Sequence, residues 1–251
     1  SWQGVRDATR FGPACMQQDA KPQAPWSIEY FVGPPYSEDC LSLNVWTDSS
    51  KVGSGSGKAV VLFIPGGGFN QGGGGVPIYN ASGLAKAGVV AVNMNYRLSA
   101  AGFLTHPELD AEAGHSGDYA LMDVIAALKW IHANIAAFGG DPAKVTVMGQ
   151  SAGAAAIVAL LHSPLATGLF RGAIIDSGVR AGRGAPTSAE REAMAKEWAA
   201  SKGATTLAQM RALPASDLIP VRGAPYRFGP TVDGHVTPSM EGPVVNDMPI
   251  L

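Results

Sequence analysis

The sequence predicts an α/β fold: a central, mostly parallel sheet with flanking helices. Three observations carry that expectation. Ala59–Ile64 is a continuous apolar run of strand length, as a strand buried on both faces requires, and Val89–Met94 reads as the next buried strand. Apolar residues at helical spacing lie between and after them. Gly149-Gln150-Ser151-Ala152-Gly153 joins a β-branched strand directly to an Ala-rich helix. Strands alternating with helices form a parallel sheet, because each connection must run back across a face of the sheet.

Each element has its own signal. Residues 1–40 hold many Pro, Gly and polar residues and show little periodicity, so irregular structure is expected there. Leu41–Trp46 alternates apolar and polar, the pattern of a half-exposed strand. Ser49–Lys58, rich in Gly and Ser, reads as the tip of a hairpin leading into Ala59–Ile64. Pro65-Gly66-Gly67-Gly68-Phe69 ends that strand. A helix over Ala81–Ala87 precedes the strand Val89–Met94. Asp118–Phe138 is the clearest helix, with Leu121, Ile125, Leu128, Ile131 and Ile135 along one stripe. Gly139-Gly140-Asp141-Pro142 stops it. A strand over Val145–Met148, a helix over Ala154–Leu161 and an apolar run at Ala173–Ile175 follow. Beyond Val179 the texture changes. Amphipathic helices over Ser188–Ser201 and Thr205–Leu213 lie beside loop-like Arg180–Pro186 and Pro214–Pro230. One domain over 1–251 is expected, with 180–228 as a helical cap or insertion.

Composition narrows the function. The chain has 251 residues, a formal charge of −2, 46% hydrophobic residues and 15% charged ones. That suffices for one sizeable core. With no basic block, nucleic acid or an anionic membrane surface is not an expected partner. No run of about 18 apolar residues predicts a membrane span. The two cysteines, Cys15 and Cys40, form no metal-ligand pattern. Their spacing leaves open one disulfide or two separate thiols; a disulfide would imply an oxidising compartment. The opening Ser1-Trp2-Gln3-Gly4 fits a mature secreted protein or an internal piece of a longer one.

Acyl transfer needs a nucleophile, a base, an orienting acid and donors for the oxyanion. The Gly-x-Ser-x-Gly corner, between strand and helix, is the nucleophile elbow of the α/β-hydrolase fold. Ser151 is therefore the nucleophile candidate; the alternative is a serine that merely caps a helix. The Ala152 amide and a glycine-rich loop after an earlier buried strand supply the donors in this fold. Gly67 and Gly68 are the candidates, because glycine lets an amide approach a substrate oxygen without a Cβ in the way. A phosphate cradle is set aside, since no Gly-Lys-Ser/Thr follows. The base is harder to find among His106, His115, His132, His162 and His235. His162 lies about ten residues past Ser151 on one helix, on the order of 15 Å away. Only His235 follows both Ser151 and a plausible acid, the order this fold uses.

Several blocks together resemble the type-B carboxylesterases, which include the cholinesterases. They are Ser37-Glu38-Asp39-Cys40-Leu41-Ser42-Leu43-Asn44, Pro65–Phe69, Asn95-Tyr96-Arg97-Leu98, Gly102-Phe103-Leu104, Asp118–Asp123, Phe138–Gly153 and Gly229-Pro230-Thr231-Val232-Asp233-Gly234. The resemblance implies an α/β-hydrolase fold and a serine esterase that needs no metal or organic cofactor. It implies Ser151 as nucleophile, Gly67, Gly68 and Ala152 as oxyanion donors, and a Cys15–Cys40 disulfide. It makes Asp233-Gly234 a structural turn. It also implies that the acid and histidine of the triad, and the last strands of the fold, lie beyond Leu251, leaving an exposed sheet edge and a marginally folded fragment. Gln150 stands where many relatives carry Glu, and Pro65 where they often carry His or Tyr. Without a carboxylate at 150, a small neutral carboxylic ester is the expected substrate rather than a cationic one. A secreted or periplasmic location is expected from the disulfide. Two other readings remain: a non-catalytic, cholinesterase-like adhesion module, and a complete short esterase using His235. The sequence leaves the oligomeric state open.

Overall fold

A computed structural model describes residues 3, 4, 7–19, 21, 22, 24–53, 55, 57–178, 186–221 and 223–251. In chain order the strands are β1 (Ala14–Cys15), β2 (Tyr36–Ser37), β3 (Leu43–Trp46), β4 (Lys58–Ile64), β5 (Val90–Met94), β6 (Gly140–Gln150) and β7 (Gly172–Asp176). The helices are α1 (Ser82–Lys86), α2 (Ser99–Phe103), α3 (Pro107–Ala113), α4 (Tyr119–Asn134), α5 (Ala152–His162), α6 (Ser188–Ser201) and α7 (Leu207–Arg211). The chain thus has the α/β-hydrolase arrangement, with helices flanking a mostly parallel sheet.

The main sheet has the order β3-β5-β4-β6-β7. The pairs β4–β5, β4–β6 and β6–β7 are parallel; β3 runs antiparallel to β5, with Leu43 opposite Met94 and Trp46 opposite Ala91. The expected hairpin between Leu41–Trp46 and Ala59–Ile64 is therefore not formed, because β5 lies between the two strands. The physical reason is burial. β4 is apolar from Ala59 to Ile64 and β5 is apolar except for Asn93, and Val60, Leu62, Ile64 and Val90 are fully buried, so both strands take interior places with two neighbours each. The alternating, half-buried β3 fits the edge.

β6 begins earlier than the expected Val145. Gly140 pairs with Lys58, and the register then slips before Val60 meets Val145. The Asp141–Lys144 turn persists as an irregularity within the strand. α4 ends through a short 3₁₀ turn at Ile135–Phe138, closed by Gly139 at φ 84°. By length and composition, residues 119–138 could cross a bilayer. Here Leu121, Val124, Leu128 and Ile131 are buried in the core.

Cys15 and Cys40 form a disulfide beside the parallel β1–β2 pair. α6 and α7 each start with a reciprocal capping box, Thr187 with Glu190 and Thr206 with Gln209. Both pack into the same hydrophobic core as the sheet, and Trp198 is fully buried edge-on against Phe228. The described residues of Pro214–Pro230 are irregular except for a 3₁₀ turn at Ala215–Leu218. The expected loop Arg180–Pro186 lies, apart from Pro186, outside the described residues. The outer edge of β7 is not bare. Leu251 N–H donates to the Ala173 carbonyl, and the amides of Ala173 and Ile175 donate to Pro249 and Leu251. These bonds cover part of the edge that the sequence leaves exposed.

Candidate active site

β4 and β6 are sheet neighbours, but the chain leaves β4 toward β5 on one side before returning to β6 on the other. Ile64 pairs with Gly149, so both strands end at the same level. Their following loops meet at the carboxyl end of the sheet, at the place where strand order reverses. Such crevices hold ligands in open α/β sheets.

The corner after β6 is built by small residues. Ser151 has φ 56° and ψ −118°, outside the regions a side chain prefers. Its amide donates to the Asp176 carbonyl at the end of β7, and its carbonyl accepts from Ala155 in α5. A Cβ on Gly149 would sit 2.5 Å from the Gly153 carbonyl carbon; one on Gly153 would sit 2.0 Å from the Ile64 carbonyl oxygen. Strand, helix and the neighbouring strand touch through backbone alone, so both flanking positions must be glycine. Ser151 is left half-buried at the head of α5, where the helix dipole favours negative charge.

The glycine loop abuts this corner. A Cβ on Gly66 would lie 2.6 Å from the Gln150 carbonyl oxygen and 3.4 Å from Ser151 Cβ. Gly67 and Gly68 have φ of 124° and 62°, and Gly67 packs against the Gln71 backbone. The Gly67 carbonyl accepts from the amides of Asn70 and Gln71, which closes the loop into a hook. Tyr96 Oη donates to the Pro65 carbonyl at 2.7 Å. Burial pushes the Tyr96 phenol up, so it stays a donor. Ser99 N–H donates to the Phe69 carbonyl at 2.8 Å, fixing the other end. The Ala152 amide, at the first position of α5, is one of the donors that a helix leaves unused.

Of these contacts the sequence reading missed Gly66, which makes the closest approach to Ser151, and Tyr96, which ties the hook from beneath. The Asn95-Tyr96-Arg97-Leu98 block was the available signal. Arg97 is held by Asp123 through a bidentate pair and a backbone bond.

The histidines are dispersed. His106 caps α3, its Nδ1 accepting from Glu108 N–H. His132 Nε2 bonds the Leu169 carbonyl. His162 is buried at the far end of α5, where desolvation lowers its pKa. His235 is exposed and stacks on His115 with ring centroids 4.0 Å apart. Among the described residues no imidazole is hydrogen-bonded to Ser151. A polar cavity of about 230 Å³ opens beside Gly67, lined by Asp19, Gln71, Tyr226 and Arg227. A larger, mainly apolar one of about 530 Å³, walled by Leu98, Leu104, Met210 and Ile219, lies away from Ser151. Among the described residues no three His, Cys, Asp or Glu side chains converge as metal ligands.

Known proteins share this sequence pattern. The sequence model of the carboxylesterase family matches residues 1–249. The chain is 41% identical over 248 residues to a fumonisin B1 esterase of Sphingopyxis macrogoltabida, covering 96% of this chain and 44% of that protein. It is 43% identical over 178 residues to acetylcholinesterase-1 of Trittame loki, covering 70% of this chain and 31% of that one. It is 42% identical over 207 residues to the para-nitrobenzyl esterase of Bacillus subtilis (strain 168), covering 82% and 38%. The chain spans less than half the length of each of these relatives.

Proposed function

Since the chain belongs to the carboxylesterase family, we propose that it is the nucleophile-bearing part of a serine carboxylic-ester hydrolase. The observation that carries this reading is the contact between two loops: a strained serine at the head of a helix, with a glycine hook against it. Ser151 Oγ attacks the ester carbonyl carbon. The amides of Gly67, Gly68 and Ala152 receive the oxyanion that forms. The alcohol leaves, and water then releases the acid from the Ser151 ester. The proton passes through a histidine and an acid that we place beyond Leu251. A small, neutral carboxylic ester suits position 150, where glutamine brings no charge. The Cys15–Cys40 disulfide supports a secreted or periplasmic site of action. We read 1–251 as part of one domain, in which 180–228 forms the cap.

The test uses para-nitrophenyl acetate and this chain. Without the histidine, steady turnover is expected to be slow, of the order of the roughly 10³–10⁴-fold enhancement over water that triad-less serine hydrolases retain. Peptide mass spectrometry is expected to find acetyl on the peptide carrying Ser151, and to find that peptide unmodified in Ser151→Ala, while the slow background on lysine amines is the same in both. Fast turnover that survives Ser151→Ala would refute the reading.

A further inference from the structure

The glycine run that follows the hook, Gly72–Gly75, is held from outside by buried carboxamide side chains. Gln17 is 4% exposed and lies just after Cys15. Its Oε1 accepts Gly72 N–H at 2.8 Å. Its Nε2 donates to the Gly72 carbonyl at 2.9 Å and to the Cys15 carbonyl at 3.0 Å. Turned over, the carboxamide would set its oxygen against two carbonyls and its nitrogen against an N–H, so its partners fix its orientation. Asn95 is 6% exposed and makes a similar tie further along the run. Its Oδ1 accepts Gly74 N–H at 2.8 Å, and its Nδ2 donates to the carbonyls of Pro13 and Cys40. Both ends of the disulfide-closed loop are thus joined to the glycine run.

Gln17 reaches the hook through one peptide unit. The N–H of Gly72 and the carbonyl of Gln71 belong to the same planar amide, and in a trans amide they point opposite ways. The carbonyl faces Gly67. A Cβ on Gly67 would overlap the Gln71 carbonyl oxygen and lie 2.8 Å from its carbon. Holding the N–H on Gln17 therefore fixes the plane and keeps the carbonyl against the Gly67 α-carbon. On its other side Gly72 abuts Gly66, whose carbonyl oxygen would lie 2.5 Å from a Gly72 Cβ. Gly66 in turn lies against Gln150 and Ser151. With φ 106° and no side chain, Gly72 has nothing of its own to hold it in place. Its N–H and its carbonyl do so, and both bond Gln17.

We propose that Gln17 is a positioning residue: its carboxamide locks the peptide between Gln71 and Gly72, and so sets Gly66 and Gly67 against Ser151 for capture of the oxyanion. This rests on the reading of Gly67 and Gly68 as oxyanion donors. The chemistry demanded at position 17 is specific. One side chain must accept from an N–H and donate to a carbonyl at once. A carboxamide does so at any pH, and a carboxylic acid only while protonated. A carboxylate keeps the acceptor but turns a second oxygen on the carbonyls of Gly72 and Cys15. The ionisable side chains of the polar cavity beside Gly67 and Gln71 are Asp19 and Arg227. Both remain in every variant, so division by the wild-type rate cancels them.

The test follows acetylation of Ser151 by para-nitrophenyl acetate in the full chain, as a rate relative to the wild type at the same pH. Amide hydrogen exchange over 66–72, corrected for chemical exchange, is measured without ester. Burial raises the carboxyl that Gln17→Glu introduces, so it is protonated at about pH 6 and ionised at about pH 9. The relative rate of Gln17→Glu is expected to stay within about threefold of unity at the lower pH and to fall by about 10²-fold at the higher, the effect of a shift of about 1 Å. Exchange over 66–72 is expected to rise in step while β4 and β6 stay protected. Gln17→Met, similar in length but without the carboxamide, is expected to be slow at both pH values. Exchange that rises while the relative rate stays level makes Gln17 a structural tie alone and overturns the positioning role. Unchanged exchange over 66–72 in both variants overturns the lock, and protection lost equally from β4 and β6 moves the effect to the whole fold and overturns it too. A wild type that takes no acetyl refutes the esterase reading instead, and exchange then decides on the lock by itself.

Discussion

Ser151 holds a backbone conformation that costs a side chain about 1–3 kcal/mol, at φ 56° and ψ −118°. Glycine accepts that conformation freely. Ser151→Gly is therefore expected to raise stability by about 1 kcal/mol while ending acetylation at this site. A lower melting temperature would show that the serine conformation is relaxed. Gly66 gives a second prediction. Its missing Cβ leaves room for the Gln150 carbonyl, 2.6 Å from where that atom would be. Gly66→Ala must displace the hook from Ser151, and a shift of about 1 Å is worth about 10²-fold in rate. The measurement is the rate of acetylation of Ser151. An unchanged rate would separate hook geometry from catalysis. Ser151, Gly67 and Gly68 were legible as candidates because residue type at the corner carries their chemistry. Gly66 was not singled out, because its importance comes from an approach between strands far apart in sequence.

Among the elements, those with strong periodicity were read well. α4 was expected over Asp118–Phe138 and occupies Tyr119–Asn134 plus a 3₁₀ turn, because an apolar stripe and a terminal glycine mark both its course and its end. The pairing of β3 was misread. A Gly/Ser-rich stretch between two strands looks local, whereas the partner of an edge strand is chosen by competition for buried places in the sheet. The junction of β4, β6 and α5 offers the sharpest test at this scale. A methyl on Gly153 would meet the Ile64 carbonyl oxygen at 2.0 Å, and that atom belongs to a central strand with little freedom. Gly153→Ala is expected to destabilise by at least about 3 kcal/mol, the upper end of ordinary overpacking. Urea unfolding measures it, and a loss under about 1 kcal/mol would mean that α5 can slide.

At the scale of the whole molecule, two constraints hold distant parts together. The disulfide links residues 25 apart, and loop closure of that length stabilises by about 3.5 kcal/mol. Cys40→Ser is expected to lose about that much in denaturant titration. An equal loss in the wild type under reducing conditions would tie the effect to the bond. Asp118 adds a pH dependence. Its carboxyl titrates near 3.8 ordinarily and near 8 in the fold, so between those values the folded chain holds a proton that the unfolded chain releases. Stability is then expected to be fullest below that window, to fall as pH rises through it, and to level off above. Melting temperatures across the window should decline in the wild type and flatten in Asp118→Asn; parallel declines would assign the slope to other groups. The sequence by itself determined the fold class, the strand–serine–helix corner, the glycine loop and the course of the long helix. Those features are local, written in periodicity, in turn chemistry and in residues only a strained corner needs. The tertiary structure alone decided which strands are neighbours, that Gly66 meets Ser151, and that Asp118 holds the Thr231 amide. Each of these joins residues far apart in the chain, and burial, which selects them, exists only once the sheet and its helices have packed.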